Sequence, residues 1–164
     1  MRQNIIIGVM GGANVAPEAL SSARRLGRLI AKRGWVLLNG GRNSGVMDAS
    51  ARGAREMGGL TIGILPDVDR KQASEFIDIP IVTGMGQARN SINVLSSDIV
   101  VACPGGAGTL SEIALAVKAG KPVILLDYPN ENVIEALGES GLLHPADSPE
   151  AAVEIISTLV SEIR

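Results

Sequence analysis

The chain has 164 residues, of which 46% are apolar and 20% charged, with a formal net charge of −2; this suits one domain over residues 1–164 that buries roughly two thirds of its unfolded surface. Acidic and basic residues are interspersed and the aromatics are limited to Trp35, Phe76 and Tyr128, which gives neither the basic footprint nor the stacking platform of a nucleic-acid binder. A single cysteine and a single histidine exclude a disulfide framework, a cysteine zinc site and most metal or triad chemistry. No apolar run approaches the roughly 18 residues of a membrane span or the apolar core of a signal peptide, so a cytoplasmic protein without a membrane partner is expected.

In chain order, strands alternate with helices. Ile5 to Met10 reads as a buried strand that closes on Gly11-Gly12. Pro17 opens a helix whose apolar side is Leu20, Ala23, Leu26, Leu29 and Ile30, and Gly34 ends it. Trp35 to Leu38 is a second strand closing on Asn39-Gly40-Gly41. After Arg42-Asn43-Ser44-Gly45 a helix runs from Val46 to Met57, and Gly58-Gly59 stops it. Leu60 to Leu65 is the third strand, Pro66 to Ser74 a polar connection, and Ile77 to Val82 a short fourth strand. A helix over Gly86 to Ser97 leads to a fifth strand, Asp98 to Cys103, then a glycine turn and a helix ending at Gly120. Val123 to Leu126 is the sixth strand, with helices over Asn130 to Leu137 and Pro149 to Ile163. Continuous apolar strands alternating with helices specify a Rossmann-like α/β fold: a doubly wound, mainly parallel sheet with helices on both faces.

The turn Pro104-Gly105-Gly106-Ala107-Gly108-Thr109 joins a strand to a helix. Its glycines let the backbone approach a ligand, and the free N–H groups of the first helical turn favour a phosphate. With the common strand order 3-2-1-4-5, the turns after strands one, four and five share one crevice, with the turn after strand two beside it. That gathers Gly11, Gly12, Gly40, Gly41, Ser44, Gly45, Met85, Arg89, Asn90 and Pro104 to Thr109 as candidate ligand-binding residues, together with Glu112. A dinucleotide is disfavoured, since Gly8 to Gly12 makes no G-x-G-x-x-G and strand two ends in Asn39 rather than an acidic residue. No Walker lysine follows the glycines either, which leaves a smaller phosphorylated compound as the expected partner.

Gly40-Gly41 with Ser44-Gly45-Val46-Met47, Gly58 to Pro66, Arg89, and Pro104 to Glu112 resemble the LONELY GUY (SLOG) superfamily, the so-called lysine decarboxylase-like proteins, over residues 4 to 126. The resemblance implies one of two functions. The superfamily's enzymes cleave the N-glycosidic bond of cytokinin-type nucleoside monophosphates with an arginine and a glutamate that match Arg89 and Glu112. A second branch, the molybdenum cofactor carriers, is nearer in its short length and its Pro-Gly-Gly-Ala-Gly-Thr turn, and holds a phosphorylated pterin without transforming it. The hydrolases carry a lysine directly after the arginine; this chain has Asn90, which removes a positive charge and disfavours hydrolysis while leaving a phosphate seat. The expected function is therefore a carrier of molybdenum cofactor, with a phosphoribohydrolase acting on an AMP-like nucleotide as the alternative and a nucleotide sensor at the same crevice as a third reading. The superfamily forms dimers or tetramers, and a mean hydropathy of +0.26 is compatible with a homo-oligomer.

Each decisive residue also has a plainer role. Thr109-x-x-Glu112 is the pattern of a capping box, in which the carboxylate returns to the cap's own N–H. Arg89 near a helix start is either a solvated surface residue or a group held there by an anion. Cys103 reads as a small core hydrophobe, and His144, before Pro145, as a surface or turn histidine with no role as a metal ligand.

Overall fold

The computed structural model describes residues 4–129, 133, 136–137 and 141–163. Among them are seven strands, β1 (Ile6–Met10), β2 (Val36–Asn39), β3 (Thr61–Leu65), β4 (Ile79–Val82), β5 (Ile99–Ala102), β6 (Val123–Leu126) and β7 (Leu143–Ala146). The helices are α1 (Pro17–Lys32), α2 (Gly45–Glu56), α3 (Asn90–Leu95), α4 (Ala107–Lys118) and α5 (Pro149–Ile163), and a 3₁₀ turn over Gly86–Arg89 precedes α3. Every strand pairs parallel to its neighbours, in the order β4-β3-β2-β1-β5-β6-β7.

The two faces of the sheet carry separate apolar layers, as a parallel sheet covered on both sides requires. Ile7, Val9, Leu37, Ile99, Val101 and Ile124 pack with Ala23, Leu26 and Ile30 of α1 and with Ala152, Val153 and Ile156 of α5. Met10, Leu38, Val100, Ala102 and Leu125 point the other way, into a layer with Val94 of α3 and Ile113 and Ala116 of α4. Alternation along each strand therefore assigns the helices to their faces.

Three expectations change. The fourth strand lies at the sheet's edge beside β3, and β5 takes the place next to β1. The segment joining β3 to β4 contains no helix, and β4 is exposed at Ile79, Ile81 and Val82, with Pro80 tolerated because an outer strand need not donate on both sides. The chain returns from that edge across the end of β3: Thr83 Oγ1 donates to Leu65 O at 2.7 Å, Gly84 N–H to Asp67 O at 2.9 Å and Gly86 N–H to Pro66 O at 3.0 Å. This return lifts residues 84–90 over the crevice at the reversal point, so the turns converge despite the altered order. The helix expected over Gly86 to Ser97 is divided into the 3₁₀ turn and α3. Third, His144 belongs to β7, opposite Ile124, rather than to a turn. The helix expected over Asn130 to Leu137 falls largely outside the described residues.

Helices α1 and α2 cross at glycines. A Cβ on Gly53 would lie 1.9 Å from Arg24 O, and one on Gly27 would lie 2.1 Å from Ser50 O. The opposing atoms are main chain, so a methyl at either site has to push the helices apart; overpacking of this kind costs about 1–3 kcal/mol. Gly53→Ala is expected to lower the unfolding free energy by that amount, read as a lower denaturant midpoint, despite alanine's better helix propensity, and an unchanged midpoint would show that the crossing has slack.

Candidate functional site

Beyond the carboxyl ends of β1, β2, β3 and β5 lies a cleft of about 270 Å³. Of the expected residues, Gly11, Gly12, Gly40, Ser44, Arg89, Asn90, Gly106, Gly108, Thr109 and Glu112 line it. The other six stand behind or beside it. Gly41 (φ +78°) packs on Gly63, and Gly45 (φ +54°) packs on Gly12 O and Ala13. Pro104 O accepts from Gly12 N–H at 2.9 Å, while Gly105 leaves room for Thr109, whose Oγ1 would be 2.2 Å from a Cβ there. Ala107 begins α4, and Met85 is half-exposed at the start of the 3₁₀ turn. Gly12 also accepts from Val46 N–H at 3.0 Å, so one residue ties the turn after β1 to the turn after β5 and to α2.

The first turn of α4 has the character of an anion seat. Its N-cap, Gly106, supplies no side chain, and no side chain caps the helix, which leaves the leading N–H groups free for a ligand. Positions where Gly106 and Gly108 would carry a Cβ meet nothing within 4 Å. The capping box is absent: α4 starts at Ala107, which places Thr109 in the third helical position rather than at the cap. Glu112 turns into the cleft instead, 6% exposed, and its Oε1 accepts from Asn93 Nδ2 at 2.9 Å. Burial pushes the Glu112 carboxyl above the usual range, opposed by the Asn93 hydrogen bond and the charge of Arg89.

Arg89 is 8% exposed and is not the solvated surface residue that one reading allowed. It closes the 3₁₀ turn, its Nε donates to Ile64 O at 2.8 Å, and its Nη1 donates to Asn90 Oδ1. Both acceptors are neutral, and among the described residues no carboxylate lies within ion-pair distance of it. Burial pulls its guanidinium below the usual range, an effect partly offset by Glu112, yet an arginine remains charged. Asn90 Nδ2 in turn donates to Ser111 Oγ of α4 at 3.2 Å. An asparagine at this position thus accepts from the arginine and bridges to α4; a lysine has no acceptor to offer.

Sequence reasoning missed the polar residues Arg42, Gln87 and Asn93, along with Val9, Met10, Ala13, Met47 and Pro66. Asn93 was within reach, because it follows Arg89 by one helical turn and therefore shares its face. Its Oδ1 is buried without a hydrogen-bond partner, an exception to the rule that buried polar atoms are satisfied. Arg42 gave no local signal, since what holds it is Asp67. Cys103 is buried at the end of the β5 segment, where burial pushes its thiol up to about 12, as fits a core residue. Among the described residues no three of His, Cys, Asp and Glu are grouped to hold a metal ion.

Two outcomes test this geometry. A Cβ on Gly40 would lie 2.6 Å from Arg89 Nη2 and 2.7 Å from Met47 Sδ, so Gly40→Ala is expected to displace the guanidinium and weaken inorganic phosphate binding about tenfold, the loss of one charge-assisted hydrogen bond, with the unfolding midpoint little changed. Because the folded-state pKa of Glu112 is raised, ionising it destabilises the fold: the contribution is fully present below its ordinary value of 4.5 and is lost as pH rises through the folded value. Ligand-free Glu112→Gln should therefore match the wild type in acid and gain on it towards neutral pH in denaturant unfolding; parallel curves would contradict this assignment.

Comparison with known proteins supplies the context. A model of the SLOG cluster4 family matches residues 4–153. The molybdenum cofactor binding protein of the phototrophic bacterium Rippkaea orientalis is 49% identical, with a TM-score of 0.93 and a match covering 98% of this chain and 99% of that one. The molybdenum cofactor carrier protein of Chlamydomonas reinhardtii is 45% identical with a TM-score of 0.91, over 97% and 99% of the two chains. A cytokinin riboside 5′-monophosphate phosphoribohydrolase of Mycobacterium tuberculosis is 38% identical over 118 residues, 67% of this chain but only 63% of that protein.

Proposed function

The chain belongs to the SLOG cluster4 family, and from that premise we propose that it binds molybdenum cofactor and carries it as cargo, holding the phosphorylated pterin in the cleft between α4 and Arg89. The observation that carries this reading is Arg89 itself: a buried guanidinium whose acceptors are neutral and which has no ion-pair partner among the described residues. Burying a charge is costly unless it is paired, so an anionic ligand is the natural counter-charge. The amides that open α4, with open space at Gly106 and Gly108, suit the cargo's phosphate.

The likeness to the two molybdenum cofactor proteins spans nearly the whole of each chain, whereas the phosphoribohydrolase is matched over part of its length. In a carrier, Glu112 and Asn93 shape the floor of the cleft. Glycosidic cleavage instead asks Glu112 to stabilise an oxocarbenium-like centre or to activate water, and here one of its oxygens is engaged by Asn93. The reading places the protein in the cytoplasm as a homo-oligomer.

The test is direct. Incubated with AMP or cytokinin monophosphates, the protein is expected to release no free base and no ribose phosphate, and incubated anaerobically with molybdenum cofactor it is expected to retain the pterin through gel filtration. Base release that disappears in Glu112→Ala would replace this reading with the hydrolase.

A further inference from the structure

Basic and acidic residues are interspersed along the sequence, but the fold sorts them. Helices α1 and α2 carry six basic side chains against three acidic ones, in a chain of net charge −2. The two helices touch through Gly27 and Gly53, so their outward side chains stand close together. Between them lies a second hollow, of about 370 Å³, walled by Leu20 and Arg24 of α1, by Asn43 and Ser44, and by Ala49 and Arg52 of α2. Arg25 and Arg55 are neutralised by Glu150 and Asp78, and the excess charge at the hollow is that of Arg24, Arg28 and Arg52. All three converge on one carboxylate. Arg24 Nη2 donates to Glu56 Oε1, Arg28 Nε donates to Glu56 Oε2 at 2.6 Å, and Arg52 Nε lies 3.4 Å from Glu56 Oε1. The hydrogen bond from Arg24, opposed by desolvation and reinforced by Arg28, holds the Glu56 carboxyl down to about 2. Glu56 is therefore ionised at neutral pH, yet it supplies one negative charge for three positive ones. The other carboxylate at the hollow, Asp48, is engaged elsewhere and accepts from Ser74 Oγ at 2.7 Å. Arg24 Nε is buried with no hydrogen-bond partner. Arg52 lies over the ring of Phe76, its guanidinium carbon 5.7 Å from the centroid, which together with Glu56 fixes its plane. Excess positive charge held in fixed guanidinium forks is suited to receive carboxylates.

We propose that this hollow docks an acidic peptide segment of a partner protein, whose carboxylates pair with Arg24 and Arg52 while its chain lies along the apolar wall of Leu20 and Ala49. The surface is separate from the cleft and independent of what fills it. Ser44 borders both, so a docked partner sits at the cleft's rim. Two other polyanions fit the pattern less well. A membrane surface asks for large apolar side chains that insert, and among the described residues none of the exposed ones belongs to α1 or α2. A nucleic-acid strand asks for a basic track with stacking rings. Here the arginines surround a fixed carboxylate, and the ring beside them, Phe76, is already covered by Arg52.

Fluorescence polarisation with a labelled hexaglutamate peptide and its hexaglutamine counterpart tests this. The wild type is expected to bind hexaglutamate and not hexaglutamine at the same ionic strength. Arg24→Gln and Arg52→Gln should each weaken binding about tenfold, the loss of one charge-assisted contact. Lys118→Gln, which removes an exposed charge from the last turn of α4, should leave it unchanged. Glu56→Gln should tighten binding severalfold, because it frees the guanidinium groups from their internal competitor, and a folding defect cannot imitate that gain. Failure to bind hexaglutamate, undiminished binding in Arg24→Gln, an equal loss in Lys118→Gln, or unchanged or weaker binding in Glu56→Gln would each overturn the proposal. So would a thymidine oligonucleotide or phosphatidylserine vesicles that bind through the same two arginines more tightly than the peptide. Inorganic phosphate that displaces the peptide at equal concentration would overturn it in favour of a small-anion site.

Discussion

A positive charge withdrawn from water and left facing neutral oxygens is the constraint around which this molecule is arranged. Arg89 is buried against Ile64 O and Asn90 Oδ1, and much of the local architecture keeps it there. Gly40 makes room for its terminal nitrogen, the outer position of β4 brings the chain back over the end of β3, and the 3₁₀ turn delivers the side chain at the mouth of the sheet. A buried ion of this kind is tolerated when its counter-charge arrives from elsewhere. Stability lost to an empty cleft is returned as affinity when an anion enters.

That constraint also separates the proposed carrier from the alternative hydrolase. A hydrolytic site must drive charge development at a sugar carbon, which calls for a carboxylate free to act. Glu112 is buried, has its pKa raised, and is engaged by an amide that has no other partner. Asn90 spends its donor and its acceptor on tying Arg89 to α4. These are the attributes of a rigid receptacle, in which each polar group fixes another in place.

Much of the architecture was legible in the chain because it depends on local pattern. The β5–turn–α4 segment combines a β-branched run, three glycines and a helical period, and of the expected α1 stripe Ala23, Leu26 and Ile30 are buried while Leu20 and Leu29 are half-buried at its margins. What escaped depends on distant partners. Leu143-His144-Pro145-Ala146 has no strand signature and becomes β7 through pairing with β6, where context overrides propensity. Within helices, Gly27 and Gly53 look like costs to stability until the two axes are brought together. The Thr109 to Glu112 spacing matched a capping box, but α4 begins before Thr109, so the carboxylate was free to turn inward. Arg42 acquires its place only through Asp67.

Sulfur chemistry sets a last condition on the proposed carriage of a metal-bearing pterin. A reachable thiolate would compete for molybdenum and expose the cargo to exchange and oxidation. The chain's single sulfhydryl, on Cys103, is sealed in the apolar layer beneath the cleft with its proton held up to about pH 12, and a protonated, enclosed thiol is a poor ligand and a poor nucleophile. The proposed cargo would therefore meet no rival thiolate in this fold.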